Sequence, residues 1–525
     1  MNLNKQSAIR YILASSIVGA IALSAYLLAF GNRPNAKTYL KPLANRVESI
    51  DPIKTRDEAE FMISRAIFGQ LLKLDSFGDV QPGIVSSWHH SNDGKSYWLT
   101  MSSDVFFHNG TKASARDLAF SIEYMAQKDS LTAHYFSDII GAAEYQNGKS
   151  KGISGLEIVD NQTIHIKLSE PSFVFLTILA DPKVVLVPFN LMDKSRHEFF
   201  QNPIGAGPYR WVDGNTDGKI ELKRNKNSAA NQKSIETILF ETMTKEEAIK
   251  KLKAGTVQDL EAYQLRLSEA KSLADYAKVF SVSSSGVTHV FFNTKRPEFS
   301  KLSLRKVVAQ SANKIDFVNK CDVSVGRSIG MIPDGYMGSL VQERYSDFTL
   351  QDLELEEAKK LLRAMGRAIE IYSYGAQFDK CVVNELANQL KFETGVEFTF
   401  KSVNFKEAVR KFVEKDFDLF VETLSIRGRE PFSLLSFFDP GSNHNLTGFE
   451  DPLLKELIYK IKQEPTRKAR SYFYQELNEL IAIKRVYSVP LFSLIPVGIF
   501  TKDVSTRTNP MAFLGNTGFE SIEWE

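Results

Sequence analysis

From Lys41 onward the chain alternates between strand-like and helix-like patterns, with no internal linker long enough to separate independent domains. At 525 residues it is too long for one ordinary core. The two facts together predict lobes joined by several crossings of the chain. Tyr97, Leu99 and Met101 alternate onto one face, and Ile164, Ile166 and Leu168 face opposite Thr163, His165 and Lys167. A period of two predicts half-buried strands of an antiparallel sheet. Between them Ser114 and Asp117 form a capping box ahead of the apolar stripe Leu118, Ile122 and Met125, which predicts a helix. The later half repeats the mixture. A helix after Asp352 carries Leu355, Ala358, Leu362 and Met365 on one face, with Gly366 at its end. A strand from Ile369 to Tyr374, a helix around Val382 to Phe392, and strands Val396 to Val403 and Phe417 to Glu422 follow. The fold class is α/β, with mixed sheets and flanking helices.

The N-terminus sets the compartment. Lys5 and Arg10 precede an uncharged run from Tyr11 to Phe30. Twenty residues at about 1.5 Å each match the roughly 30 Å of a bilayer's hydrocarbon core. Basic residues ahead of such a run stay in the cytoplasm, which places the body outside it. Residues 1–31 are therefore a cleaved signal or an uncleaved anchor to the inner membrane, and without a cysteine in the run a lipoprotein anchor is not available. Cys321 and Cys381, the only cysteines, either pair in an oxidising compartment or stay as free thiols.

Composition and motifs narrow the function. Apolar residues at 43% and charged residues at 24% exclude wholesale disorder. A net charge of +2 without a basic, aromatic-interleaved run gives no reason for a nucleic-acid partner. Gly205-Ala206-Gly207 is followed by Pro208, which cannot open a phosphate-binding helix. His197-Glu198 lacks the second histidine of a zinc protease, and adjacent His89 and His90 point to opposite faces of a strand. No catalytic residue, metal site or cofactor is assigned.

A further set of segments is informative as an ordered series. Phe106-Phe107-His108-Asn109-Gly110-Thr111 leads through Ser114 and Asp117 to Phe120-Ser121-Ile122. Ser49-Ile50-Asp51-Pro52, Ile67-Phe68-Gly69-Gln70-Leu71-Leu72, Gln81-Pro82-Gly83-Ile84 through Trp88, and Asp93-Gly94-Lys95-Ser96-Tyr97 surround it. Ile204-Gly205-Ala206-Gly207-Pro208-Tyr209, Phe291-Phe292-Asn293-Thr294, Leu304-Arg305-Lys306-Val307 and Pro490-Leu491-Phe492 follow. In this order the series resembles the family 5 extracellular solute-binding proteins, the oligopeptide, dipeptide and nickel binders of ABC importers. The resemblance implies a two-lobed periplasmic-binding-protein fold of the Venus flytrap kind, with an extra subdomain in lobe I. Lobe I would hold 41–282 with the insert at about 88–188, lobe II 283–488, and 489–525 would return to lobe I. The implied function is substrate binding for an importer, by a monomer that encloses a small molecule or peptide and is met by an ABC permease. The alternative is a membrane-tethered sensor using the same fold without transport.

The resemblance also directs attention to a ligand loop. In peptide-binding members an aspartate there holds the ligand's α-amino group. The corresponding stretch is Thr423 to Pro431, with Arg427 at the aspartate position, Leu424 at a tryptophan position, and Glu430-Pro431 matching the closing pair. A guanidinium pairs with carboxylate or phosphate rather than with an ammonium group, so a ligand carrying an anionic group is expected. The opposing expectation is that Arg427 or Arg429 pairs with Glu430 or another local carboxylate. Glu60 matches a glutamate near the ligand in a peptide-binding relative, or is a solvated helix residue. Tyr372 and Tyr374 lie two apart on one strand face and either line the cleft or pack in the core.

Overall fold

The computed structural model describes residues 38–525 except 76, 193–195, 217, 228–233, 264, 282–285, 313–315, 324, 327, 341–351, 375–376, 427–429, 441, 443–444, 446, 496 and 507–517. Tyr11 to Phe30 lies outside the described residues, among which no helix is long and apolar enough to cross a membrane.

The expected strands near the start form an antiparallel sheet in the order Val85–His90, Ser96–Met101, Thr163–Lys167, Leu156–Ile158. Tyr97, Leu99, Met101, Ile164 and Ile166 all point into the core, as their alternation predicts. The helix Ala115–Met125 packs there through Leu118, Ile122 and Met125, and the Ser114 N–H and hydroxyl both donate to the Asp117 carboxylate. This unit is inserted between the first and the remaining strands of a second four-stranded sheet, whose order is Thr38–Leu43, Thr237–Thr242, Lys219–Arg224 and Tyr209–Thr216. The C-terminal tail closes that sheet's core, where Phe519 packs on Tyr39, Tyr209 and Phe240.

The second lobe is built on a six-stranded mixed sheet in the order Val325–Gly326, Ser488–Leu494, Gly286–Phe292, Leu419–Ser425, Ile369–Tyr374, Phe398–Val403. Val290, Phe292, Leu419, Val421, Ile369 and Ile371 bury one face, in one cluster with Val307 and Val308 of Leu302–Ala312, Ala358 and Leu362 of Asp352–Arg363, and Leu386 and Leu390 of Gln377–Thr394. Predicted strand Ile369 to Tyr374 is found at those bounds, and Phe417 to Glu422 lies two to three residues further on, at Leu419–Ser425.

Two neighbouring crossings join the lobes. Ala277–Ser281 pairs antiparallel with Val497–Thr501 on one side, while Gly286–Phe292 pairs antiparallel with Ser488–Leu494 on the other. Ser488–Leu494 belongs to the six-stranded sheet, and Val497–Thr501 to the pair with Ala277–Ser281. Pro490 has no N–H to give to a ladder. In the sheet the register shifts between Thr288 and His289, at the place where Pro490 is paired.

Cys321 and Cys381 are bonded, S–S 2.06 Å, across 60 residues. Closing a loop of that length restricts the unfolded chain by about 4 kcal/mol in the chain-entropy model. Replacing both cysteines by serine is expected to lower the unfolding free energy by about 2–4 kcal/mol, measured by urea denaturation under oxidising conditions. A loss below about 0.5 kcal/mol would show that the link contributes nothing.

Candidate functional site

The segments that carry the family resemblance meet in space. Gly205 and Gly207 lie against the end of the Glu58–Phe68 helix, where a Cβ would stand 2.0 Å from the Ile67 carbonyl oxygen and 2.3 Å from that of Ala66, respectively. The Gly207 N–H donates to the Ile67 carbonyl at 2.8 Å. His108 grips the same loop from the other side. Its N–H donates to the Gly205 carbonyl at 2.8 Å, its Nδ1 accepts from the Gly205 N–H at 3.3 Å, and its Nε2 faces the Gly207 carbonyl at 3.1 Å. These partners specify the neutral tautomer with the proton on Nε2. The Asn109 carboxamide oxygen meanwhile accepts from the Thr111 N–H and hydroxyl, and Gly110 takes φ 84°. The junction joins the insert to the first lobe.

Two histidines make this architecture acid-sensitive. Burial pushes His108 down to about 4 and His289 to about 3. His289 is fully buried on strand Gly286–Phe292; the Met331 backbone approaches its ring, yet neither ring nitrogen has a partner in hydrogen-bond geometry. A base whose folded pKa lies below its unfolded value near 6.5 stabilises fully above that value, and the contribution falls as pH drops towards the folded pKa. Each histidine should remove about 1.4 kcal/mol per pH unit in that window. Urea midpoints for wild type and His289→Phe, compared from pH 7 to 4.5, should diverge in slope. Parallel profiles would contradict the assignment.

The edge that faces the first lobe follows from topology. Ile369–Tyr374, Phe398–Val403 and Leu419–Ser425 run parallel, so Tyr374, Val403 and Ser425 end on one edge. Gly286 begins the antiparallel neighbour beside Ser425, and Ser488–Leu494 finishes at the same edge. Both interlobe crossings therefore leave from the carboxyl edge of the sheet. In open α/β sheets that edge is where ligands bind.

The candidate ligand residues fall unevenly on this frame. Arg427 and Arg429 lie outside the described residues, in the segment that leaves the edge after Ser425. Tyr374 is half-buried at the edge itself, 6.4 Å from the Phe420 ring. Tyr372 shares that face, lies 6.3 Å from the Phe420 ring, donates to Glu370 and sits under the Lys411 ammonium; burial, then Glu370, pushes its hydroxyl pKa up. Glu430 is 3% exposed. Its carboxylate accepts from Arg470 Nε at 2.6 Å, Arg470 Nη2 at 3.1 Å and the Tyr474 hydroxyl at 3.4 Å. Glu60 belongs to the first lobe and is also 3% exposed. It accepts from the backbone N–H groups of Glu48, Ser49 and Arg56, at 2.9, 3.1 and 2.7 Å. Glu60 thus fixes local backbone, Glu430 holds the Arg470 guanidinium and the Tyr474 hydroxyl, and neither is solvated.

Two residues of the family segments, Arg305 and Asn293, position backbone around the sheet. Arg305 is 4% exposed and donates to the carbonyls of Phe299, Ser300, Arg485 and Val486, so burial without a carboxylate partner pushes it down to about 10. It thereby holds Val486, a β-branched residue at φ 48°. Asn293 donates to the carbonyls of Lys415 and Phe417, fixing the turn ahead of Leu419–Ser425. Arg470, by contrast, lies in no motif.

Comparison with known proteins places these features. The model of the bacterial extracellular solute-binding proteins, family 5 (Middle), matches residues 79–445. The periplasmic oligopeptide-binding protein OppA of Escherichia coli is 23% identical over 515 residues, 93% of each chain. Haemophilus influenzae OppA in complex with RPPGFSPFR superposes with a TM-score of 0.80 at 17% identity, covering 93% of this chain and 99% of that one. The unliganded open form of the murein tripeptide-binding protein MppA gives 0.69 at 18% identity, covering 93% and 98%. The two-lobed fold, the inserted sheet, the paired crossings and a family match over most of the length agree: the chain belongs to the family 5 bacterial extracellular solute-binding proteins.

Proposed function

We propose that the chain is the extracytoplasmic substrate-binding component of an ABC-type importer for peptides or similar small solutes. The observation that carries this reading is the carboxyl edge of the six-stranded sheet, from which both crossings leave toward the first lobe. A solute seated there touches both lobes only when they approach, so its binding energy shifts an open–closed equilibrium. The higher likeness to a peptide complex than to an open form, 0.80 against 0.69, supports a closed arrangement. The likeness along 93% of a periplasmic oligopeptide-binding protein supports the peptide class and the permease partner. The disulfide suits an oxidising, periplasmic location.

Lobe I spans 41–282 with its insert at about 88–188, and the second lobe extends from 283 through Leu494. Arg427 and Arg429, which follow Ser425 in the sequence, receive an anionic group of the solute. Isothermal titration with tri-alanine and with alanyl-glutamyl-alanine tests this. The acidic peptide should bind one to one and more tightly, and Arg427→Glu should weaken it at least tenfold, a difference of about 1.4 kcal/mol. Equal affinities, unchanged in the variant, would overturn the anionic assignment; no heat with either peptide would overturn the peptide class.

A further inference from the structure

Away from the ligand edge, the lobes touch at the corner between helices Pro452–Gln463 and Arg467–Glu479. The Phe173 N–H of the inserted subdomain donates to the Lys462 carbonyl at 2.7 Å. Lys462 Nζ lies 2.8 Å from Asp138 Oδ2, each side chain 25% exposed. Arg467 Nη1 lies 2.6 Å from Asp79 Oδ1, and its Nη2 donates to the Phe77 carbonyl at 2.8 Å. Beside them the Tyr135 ring meets Phe432, centroids 6.0 Å apart. In these two interlobe ion pairs the cations all come from the second lobe and the carboxylates all from the first.

Both sides of the contact are held in place. Phe173 sits on the Gly94 turn, where a Cβ would come within 2.9 Å of its ring, and Ser172 donates to the Gly94 carbonyl at 3.1 Å. The corner is fixed from within by Arg470, which donates to the Glu464 and Pro465 carbonyls at 2.8 and 3.1 Å while pairing with Glu430. Preformed partners lose little side-chain freedom on docking, and the partly buried Lys462–Asp138 pair is screened less than the Arg467–Asp79 pair, whose carboxylate is 61% exposed.

We propose that this corner and the first lobe form an electrostatic clasp that draws the lobes together before solute arrives, with Lys462 and Arg467 as positioning residues for capture. The proposal rests on the lobe assignment above but not on any ligand's identity. Two lobes that already visit the closed form bind with a smaller conformational penalty, so the clasp raises affinity without touching solute.

The test needs no ligand. Spin labels at Lys149→Cys and Lys455→Cys, exposed positions on the two sides of the contact, report the interlobe distance in the full chain, whose native cysteines are bonded to each other. Wild type should show a short-distance population that Lys462→Glu/Arg467→Glu reduces at least fivefold, that high salt also reduces, and that adding Asp138→Lys/Asp79→Lys restores. Thermal unfolding of the four-residue swap checks that the fold is retained. A wild-type distribution with no short component would overturn the clasp, as would a charge reversal that leaves the distribution unchanged or a swap that fails to restore it. Peptide titration is a separate readout, so failure of the peptide reading and failure of the clasp are distinguishable.

Discussion

Arg470→Ala is expected to lower the unfolding free energy by about 3–5 kcal/mol, because it leaves Glu430 as a buried carboxylate without its cation. Glu430 and Arg470 are 3% and 6% exposed, and the guanidinium meets the carboxylate through Nε and Nη2. Breaking such a pair from one side strands a charge that water cannot reach, whereas replacing both partners by apolar residues of similar size leaves none. The double replacement Glu430→Met/Arg470→Leu should therefore be milder than either single alanine variant. Its residual loss would report the Arg470 bonds to the Glu464 and Pro465 carbonyls. Urea denaturation of the three variants measures both effects. A loss below about 1 kcal/mol for Arg470→Ala would mean the pair is solvent-accessible and worth no more than a surface bridge. The same pair anchors the chain just after the candidate ligand segment, so the variant should also weaken solute binding.

Gly205→Ala is expected to be comparably severe, because the new Cβ would stand 2.0 Å from a backbone oxygen of Ile67. No side chain can move to relieve that overlap; the helix end or the loop must shift, breaking the Gly207 to Ile67 and His108 to Gly205 hydrogen bonds. Overpacking of this kind costs about 1–3 kcal/mol where side chains yield, and the backbone here argues for the top of that range or beyond. Gly110→Ala is the matched control. Its Cβ would meet nothing within 4 Å, so only φ 84° opposes it, at about 1–2 kcal/mol. Thermal unfolding of both variants should separate them by several degrees, with Gly205→Ala the lower. The reverse order would show that the junction is looser than its distances indicate.

These effects mark the boundary of what a sequence conveys. The strand alternation of Tyr97, Leu99 and Met101, the capping box at Ser114 and the helix after Asp352 are local patterns, and each appears where its period predicts. The family segments were legible as motifs, but their shared purpose was not. His108 and Gly207 are 99 residues apart, and only the fold brings them within 3.1 Å. Arg305 serves carbonyls 180 residues downstream, a role that no spacing rule encodes. The ion pair of Glu430 with Arg470, 40 residues away, has the same cause. The register shift opposite Pro490 is likewise invisible to spacing, because it belongs to the pairing with Gly286–Phe292.

The central claim is that the two lobes enclose one small solute. Native mass spectrometry of the protein purified without denaturant tests it most directly. The account predicts a single adduct of small-peptide mass per chain, released on unfolding and recovered when a mixture of tripeptides is added after refolding. A spectrum showing only the bare polypeptide, before and after that addition, would contradict it.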